Sequence, residues 1–262
     1  MYKFVKSTYF ENKSFFMTQL ELINNCYDDY LDEYILKSQF YSIFLNENHI
    51  GYFTVIDENI LTQFFVPPSL LMYSQDIFSK VIEDFNIRMM IVASFDESNM
   101  VRCLDEHTRI EMHSYYFKKN IIPVRKPEFE KKHLKPATKN DLDDIGRYTE
   151  EFIDNHEKRV IKNQLYTLRD SKGEFIGLGV LIKHTLNSKT CSIGAFCREE
   201  YRNKGAGRSI IIHLNEICEE NGLIARPACW YYNIICKKML ESAGFVADSR
   251  VIKFFFKDDD EK

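Results

Sequence analysis

The sequence predicts a mixed α+β fold built as two similar halves, and three observations predict it. Short runs of alternating apolar residues are interleaved with longer segments of helical spacing. The order hairpin, strand, helix, strand, helix, strand occurs twice along the chain. A stretch rich in proline and charge, with Pro123, Pro127 and Pro136, interrupts the pattern midway. The expected domains are residues 1–122 and 133–257, joined by a linker at 123–132 and followed by an acidic tail at 258–262.

In the first half, residues 41–45 and 50–55 read as a hairpin across Asn46, Glu47 and Asn48. Residues 60–66 form the next strand. A helix carries Ile77, Val81, Ile82 and Phe85, and residues 89–93 form another strand. A helix from about Asn99 then precedes a strand at 115–117. In the second half, Thr138 to Asp141 supply caps for a helix with Leu142, Ile145 and Tyr148, with Phe152 one turn on, and a second helix is expected within 154–164. Residues 164–169 and 175–182 make an antiparallel pair across the turn 170–173, and residues 190–197 a further strand. A long helix follows from about Gly207 to Asn221, its stripe made by Ile210, Leu214, Ile217 and Cys218. A strand at 223–230 returns parallel to 190–197, because a strand, a crossover helix and a strand give that topology. Asn233 opens the last helix and residues 251–256 the last strand. Laid side by side, Gly51 falls against Gly177, Val66 against Cys197 and Asn99 against Asn233.

Bulk properties narrow the function. The chain has 262 residues, 45% of them hydrophobic, and a formal net charge of −4 with basic residues dispersed among acids. A nucleic-acid-binding face is therefore not expected. No apolar run reaches membrane-spanning length and the first residues lack a signal-peptide pattern, so a cytoplasmic location without membrane association is expected. The seven cysteines form no C-x-x-C pair. They are expected to be reduced and mostly buried, with no metal site.

The segment that rises above fold class is the loop from Cys197 to Arg208, set between a strand and a helix. A helix start offers unpaired backbone N–H groups and the positive end of the peptide dipoles, which suits an anion. Gly205 and Gly207 would let the backbone approach a diphosphate, and Arg202, Lys204 and Arg208 would add countercharge. Neither the Walker nor the Rossmann loop pattern occurs.

Residues 192–207, the strand end and the run Tyr201-Arg202-Asn203-Lys204-Gly205-Ala206-Gly207, resemble the central motif of the GNAT superfamily of N-acetyltransferases. Asn233 to Phe245 look like that family's later helix and turn, and Leu134 to Leu142 like its opening. The resemblance implies two GNAT-like domains, each a mostly antiparallel sheet whose central parallel pair splays around the cofactor. It implies acetyl-CoA as acyl donor, with a pantetheine arm on the backbone of Ala195, Phe196 and Cys197. The diphosphate would rest on Arg202, Asn203, Lys204, Gly205, Ala206, Gly207 and Arg208, with Asn233 close by. The implied reaction is direct attack by a primary amine, on a small molecule or, as alternatives, on a protein N-terminus or lysine.

Two positions depart from the family pattern. Leu240 stands where a tyrosine acid is frequent, which leaves Tyr231 and Tyr232 as candidate acids. The strand 190–194 carries no carboxylate, so a base would come from water or from Glu150, Glu151, Asp154 or His156. Trp230 is a candidate to line the acceptor pocket. These departures keep open a non-catalytic acyl-CoA-binding or regulatory module. An acyl-cysteine route through Cys197 or Cys229 is rejected, because no histidine lies near either in sequence. In the first half, Pro67 and Pro68 remove backbone donors where the loop would be, so no CoA binding is expected there. That half is expected to wall the acceptor cleft or to mediate association, a homodimer being the form considered.

Overall fold

The computed structural model describes residues 1–120, 125–149 and 152–257. Glu150, Glu151, the start of the expected linker and the tail at 258–262 lie outside the described residues. Two compact units emerge, one made of Met1–Ser114 with Ser249 onward, the other of Tyr115–Asp248. The chain therefore changes unit within two strands rather than at residues 123–132. The reason is that the last strand pairs with residues of the first half.

In the first unit the elements are β1 (Tyr2–Ser7), α1 (Tyr9–Ile23), α2 (Asp29–Lys37), β2 (Gln39–Leu45), β3 (Asn48–Ile56) and β4 (Ile60–Phe65). A 3-10 turn (Pro68–Tyr73), α3 (Ser74–Asp84), β5 (Met89–Ala93), α4 (Glu97–Glu106) and the first part of β6 (Arg109–Lys119) follow. Strands run in the order β1, β2, β3, β4, β5, and then the C-terminal strand, β13 (Phe245–Phe255). Val251 to Phe255 pair antiparallel with Ala93 to Met89, which places the expected last strand in the first unit. Phe53, Phe64, Phe78, Val81 and Phe254 fill the core, each almost wholly buried. Each such side chain contributes about 1.5–3 kcal/mol of apolar burial.

The second unit holds β7 (Leu134–Pro136), α5 (Leu142–Thr149), α6 (His156–Ile161), β8 (Leu165–Arg169), β9 (Phe175–Lys183) and β10 (Thr190–Cys197). After these come α7 (Ala206–Glu220), β11 (Ile224–Ala225), β12 (Ala228–Trp230) and α8 (Ile234–Ser242). Its five-stranded sheet has the order β11, β10, β9, β8, β7. Side chains alternate along β10 with period two. Cys191 and Ile193 join the cluster containing Ile210, Ile211 and Leu214 of α7. Phe196 packs on the opposite cluster, with Ile145 of α5 and Val160 of α6.

The return strand expected at 223–230 is broken in two. The Arg226 N–H donates to the Cys191 carbonyl at 2.8 Å, whereas the Pro227 carbonyl accepts from the Phe117 N–H at 3.0 Å. Pro227 has no N–H to continue the first ladder, and the chain changes partner there.

The two units share a local plan. Each contains a parallel pair only two residues long: Ile60 and Leu61 with Met89 and Met90, then Thr190 and Cys191 with Ile224 and Ala225. A Cβ on Gly51 would collide with the Phe65 carbonyl and lie 3.3 Å from the Val66 α-carbon. A Cβ on Gly177 would collide with the Phe196 carbonyl and lie 3.3 Å from the Cys197 α-carbon. The same close crossing thus recurs at the two glycines matched in sequence. The third match shifts, since Asp96 caps α4 and Asn233 caps α8, with Asn99 three residues inside its helix.

Candidate functional site

β10 carries the second unit's candidate site because its partner on one edge stops early. Pairing with β11 ends at Cys191 and Ala225, while pairing with β9 continues from Cys191 to Cys197. The carbonyls of Lys189 and Cys191 accept from Ile224 and Arg226, so odd-numbered residues direct their polar groups to the β11 edge. By strand alternation, Ile193, Ala195 and Cys197 present their amides and carbonyls where β11 no longer runs. Of the expected strand contacts, Ala195 and Cys197 lie on this edge and Phe196 points its backbone to β9.

The edge leads into the loop. Asn203 and Gly205 adopt left-handed backbone at φ 59° and 78°, and together they fold residues 202–205 into the start of α7. No side chain caps that start, and the first N–H groups of a helix have no partner within it. Arg202, Asn203 and Lys204 are exposed, whereas Ala206 is buried. Arg202 lies 3.8 Å from Glu199, a solvent-facing pair worth well under 1 kcal/mol.

The two glycines do less for a ligand than their spacing suggests. The open side of Gly205 faces the Glu128 carboxylate, which also forms an ion pair with Arg208. Residues 128 and 129 are fastened to α7: both N–H groups donate to Ser209 Oγ, at 2.9 and 3.1 Å, and His213 Nε2 lies 2.7 Å from the Phe129 carbonyl. Arg208 is therefore engaged, its side chain only 11% exposed. Gly207 faces Cys197 Sγ and Met239 Cγ, both 3.4 Å from where its Cβ would be, so it brings α7 close to β10 and α8. Burial pushes the Cys197 thiol up to about 11, which Arg202 offsets in part. A neutral thiol of that kind is a poor nucleophile.

At the other side of the open edge, Asn233 Oδ1 accepts from the Cys236 N–H at 3.0 Å and starts α8. Tyr231 stacks on Tyr115 with ring centroids 4.6 Å apart and packs on the core. Tyr232 and Trp230 are each 59% exposed and meet edge to face at 5.1 Å. Of the two candidate acids, Tyr232 is thus the solvent-facing one. Leu240 is buried in the core, so the position points away from solvent.

The face of β10 opposite α7 carries Ser192, Gly194 and Phe196, all half-buried. Phe196 meets the exposed ring of Phe152 at 5.6 Å. His184, at the end of β9, is buried between Thr190 Oγ1 at 2.7 Å and Ser192 Oγ at 2.9 Å. Among the expected bases, Asp154 is ion-paired with Arg159 at 3.0 Å, and the Arg159 hydrogen bond holds its carboxyl below the usual range. His156 opens α6, with its Nε2 buried and without a hydrogen-bond partner among the described residues.

Sequence reasoning missed Glu128, Ser192 and His184. The hairpin register could have found the last two, since β9 and β10 place residue 184 opposite 190. At the place in the first unit that corresponds to the loop, the 3-10 turn Pro68–Tyr73 stands instead, with the Leu70 N–H on the Pro67 carbonyl at 2.9 Å. Among the described residues no cluster of three His, Cys, Asp or Glu side chains could hold a metal ion, and no helix is long and apolar enough to cross a membrane.

Residues 10–120 match the family model described as acetyltransferase (GNAT) domain. The match falls on the first half, not on the half whose loop carries the basic residues and glycines. No curated protein sequence matches the chain. Among solved structures, a GNAT-family acetyltransferase from Colwellia psychrerythraea is similar over 98% of this chain and 100% of its own, with a TM-score of 0.86 and 15% identity. A GCN5-related N-acetyltransferase from Sphaerobacter thermophilus gives a TM-score of 0.64 at 9% identity, covering 98% of this chain and 96% of that one. A tandem GNAT protein from the clavulanic acid biosynthesis pathway gives 0.56 at 12% identity, covering 99% and 100%. These likenesses establish a GNAT fold over nearly the whole chain, and within it residues 10–120 match the model of a GNAT acetyltransferase domain.

Proposed function

We propose that the second unit binds acetyl-CoA and transfers its acetyl group to a primary amine on a small molecule, in the cytoplasm. The observation that carries the reading is the open edge of β10, with Ile193, Ala195 and Cys197 leading into an uncapped α7. A strand edge suits an extended arm that needs alternating donors and acceptors, and a helix start suits a diphosphate. Arg202 and Lys204, both exposed, supply countercharge, with Asn203, Gly205, Ala206 and Gly207 shaping the loop and Arg208 available once Glu128 releases it. When bound, acetyl-CoA supplies an activated acyl group. The chain's residues hold it, present the amine without its extra proton and offer Tyr232 as a nearby hydroxyl.

Isothermal titration with CoA, followed by thiol release from acetyl-CoA against a panel of polyamines, amino sugars and amino acids, tests the reading. Micromolar binding lost in Arg202→Glu and amine-dependent thiol release support it. Absence of CoA binding sinks it. A second reading, a non-catalytic acyl-CoA-binding module, is favoured by the burial of Leu240 where the family often has its acid. Binding without thiol release across the panel would select that reading.

A further inference from the structure

Resting on the acyl-transfer reading, we infer that Ser192 and His184 form a proton relay that takes the surplus proton from the acceptor's ammonium group. Cys191 faces Lys183 in the β9–β10 ladder, which sets His184 across from Thr190 and puts His184, Thr190 and Ser192 on one face of the sheet. The His184 N–H donates to the Thr190 carbonyl at 3.1 Å, so this corner of the hairpin is fixed in place.

The relay requires one tautomer of His184, in which both ring nitrogens keep their contacts with Thr190 and Ser192. Thr190 Oγ1 donates its single proton to the Asn187 carbonyl at 3.0 Å. In that tautomer Thr190 Oγ1 accepts from His184 Nδ1, 2.7 Å away, so Nδ1 carries the imidazole's proton. In the neutral ring Nε2 is left with its lone pair, and the Ser192 hydroxyl, 2.9 Å away, donates to it. A buried imidazole thus backs a half-buried hydroxyl, the arrangement that lets a weak hydroxyl pass a proton inward.

Ser192 lies on the face opposite α7, beside Gly194, where an added Cβ would meet only the Val180 Cβ, at 3.9 Å. The strip from Ser192 to Phe196 is therefore recessed at its middle, and it runs along the strand whose edge is left open. In the transfer step, an ammonium N–H bond breaks as the proton passes to Ser192 Oγ, and the original Ser192 proton passes to His184 Nε2. The products are a neutral amine, an unchanged serine and an imidazolium whose Nδ1–H still rests on Thr190. This gives β10 a base although the strand has no carboxylate.

Two measurements on the full chain test the relay. Nitrogen-15 NMR of histidine-labelled protein should show His184 protonated at Nδ1 with an unprotonated Nε2 whose resonance shifts in Ser192→Ala. Thiol-release kinetics should then be compared for propylamine, charged at neutral pH, and hydroxylamine, mostly uncharged there. Ser192→Ala should lower kcat/KM about 100-fold for propylamine while hydroxylamine changes by less than about threefold, and Ser192→Thr should restore the propylamine rate. A proton on Nε2, or equal losses with the two amines, overturns the relay. No thiol release by the unaltered protein with any amine counts against acyl transfer itself, and the NMR result still judges the relay.

Discussion

The carboxylate of Glu128 lies against the α-carbon of Gly205 and pairs with Arg208, so an acid of the chain itself stands beside the start of α7. A diphosphate placed there would meet a like charge and would compete for the same arginine. The first prediction follows from that competition. Glu128→Gln keeps the side chain's size and removes its charge, and it should tighten CoA binding about two- to fivefold, the scale of a half-exposed ion pair. Titration calorimetry at low and at high salt checks this, and the gain should shrink as salt rises. Weaker binding in the variant would mean that Glu128 holds Arg208 in its useful position.

The backbone at Gly205 gives a second prediction. Its φ of 78° is left-handed, and a side chain there would also have to displace Glu128. Gly205→Ala should destabilise the protein by about 1–2 kcal/mol. Gly146 is the control, because it lies inside α5 and an added Cβ meets nothing within 4 Å. Gly146→Ala should stabilise by about 0.4–1 kcal/mol. Urea unfolding of the two variants should shift the midpoint in opposite directions with an unchanged slope.

What could be read from the sequence was local. The strand Thr190–Cys197 and the helix Ala206–Glu220 lie where periods of two and 3.6 residues put them, and Asn233 caps the helix it was expected to open. The features that escaped are set by partners far along the chain. Glu128 is 80 residues from Arg208, and β13 leaves its own half to pair with β5. The helix α1 went unread because its pattern is mixed: it buries Asn12 and Gln19 beside Phe16 and leaves Phe10 82% exposed. Asn12 is kept inside by hydrogen bonds to Ser7 Oγ at 2.8 Å and to the Thr8 carbonyl at 2.9 Å, a polar arrangement that hydrophobic periodicity cannot register.

Thiol reactivity offers a third prediction. Cys197 and Cys236 are half-buried, and the other five cysteines are buried. The hydrogen bond with Cys229 draws the Cys236 thiol below its ordinary value despite burial, whereas burial holds Cys197 at about 11. Since only the thiolate reacts, iodoacetamide at pH 8 should label Cys236 first in the folded protein. Cys197 should follow only as pH is raised toward 11. Peptide mapping by mass spectrometry reads the order, and early labelling of Cys197 at pH 8 would contradict the burial argument.

The final prediction concerns the start of α5, where one carboxylate serves two purposes. Asp141 accepts from the Thr138 N–H and hydroxyl, each at 2.8 Å, and from Arg169 Nη2 at 2.7 Å. Arg169 also reaches Asp144 at 2.8 Å and so ties β8 to the helix entry. Burial alone would raise the Asp141 carboxyl, but the bonds from Thr138 and Arg169 outweigh it and hold the group below its ordinary value. The unfolded chain titrates this group near pH 4, and the folded one at a lower pH. The unfolded state therefore binds the proton first as pH falls, and the stabilisation is complete above about pH 4 and is lost through the folded pKa below it. Asp141→Asn removes the charge but keeps the shape, and it should cost about 1–2 kcal/mol at pH 7. The same comparison at pH 3 should show a smaller gap, because part of the native protein has then lost the charge as well. Chemical denaturation of both proteins across pH 3–7 measures the difference, and a gap independent of pH would mean that Asp141 acts by shape rather than by charge.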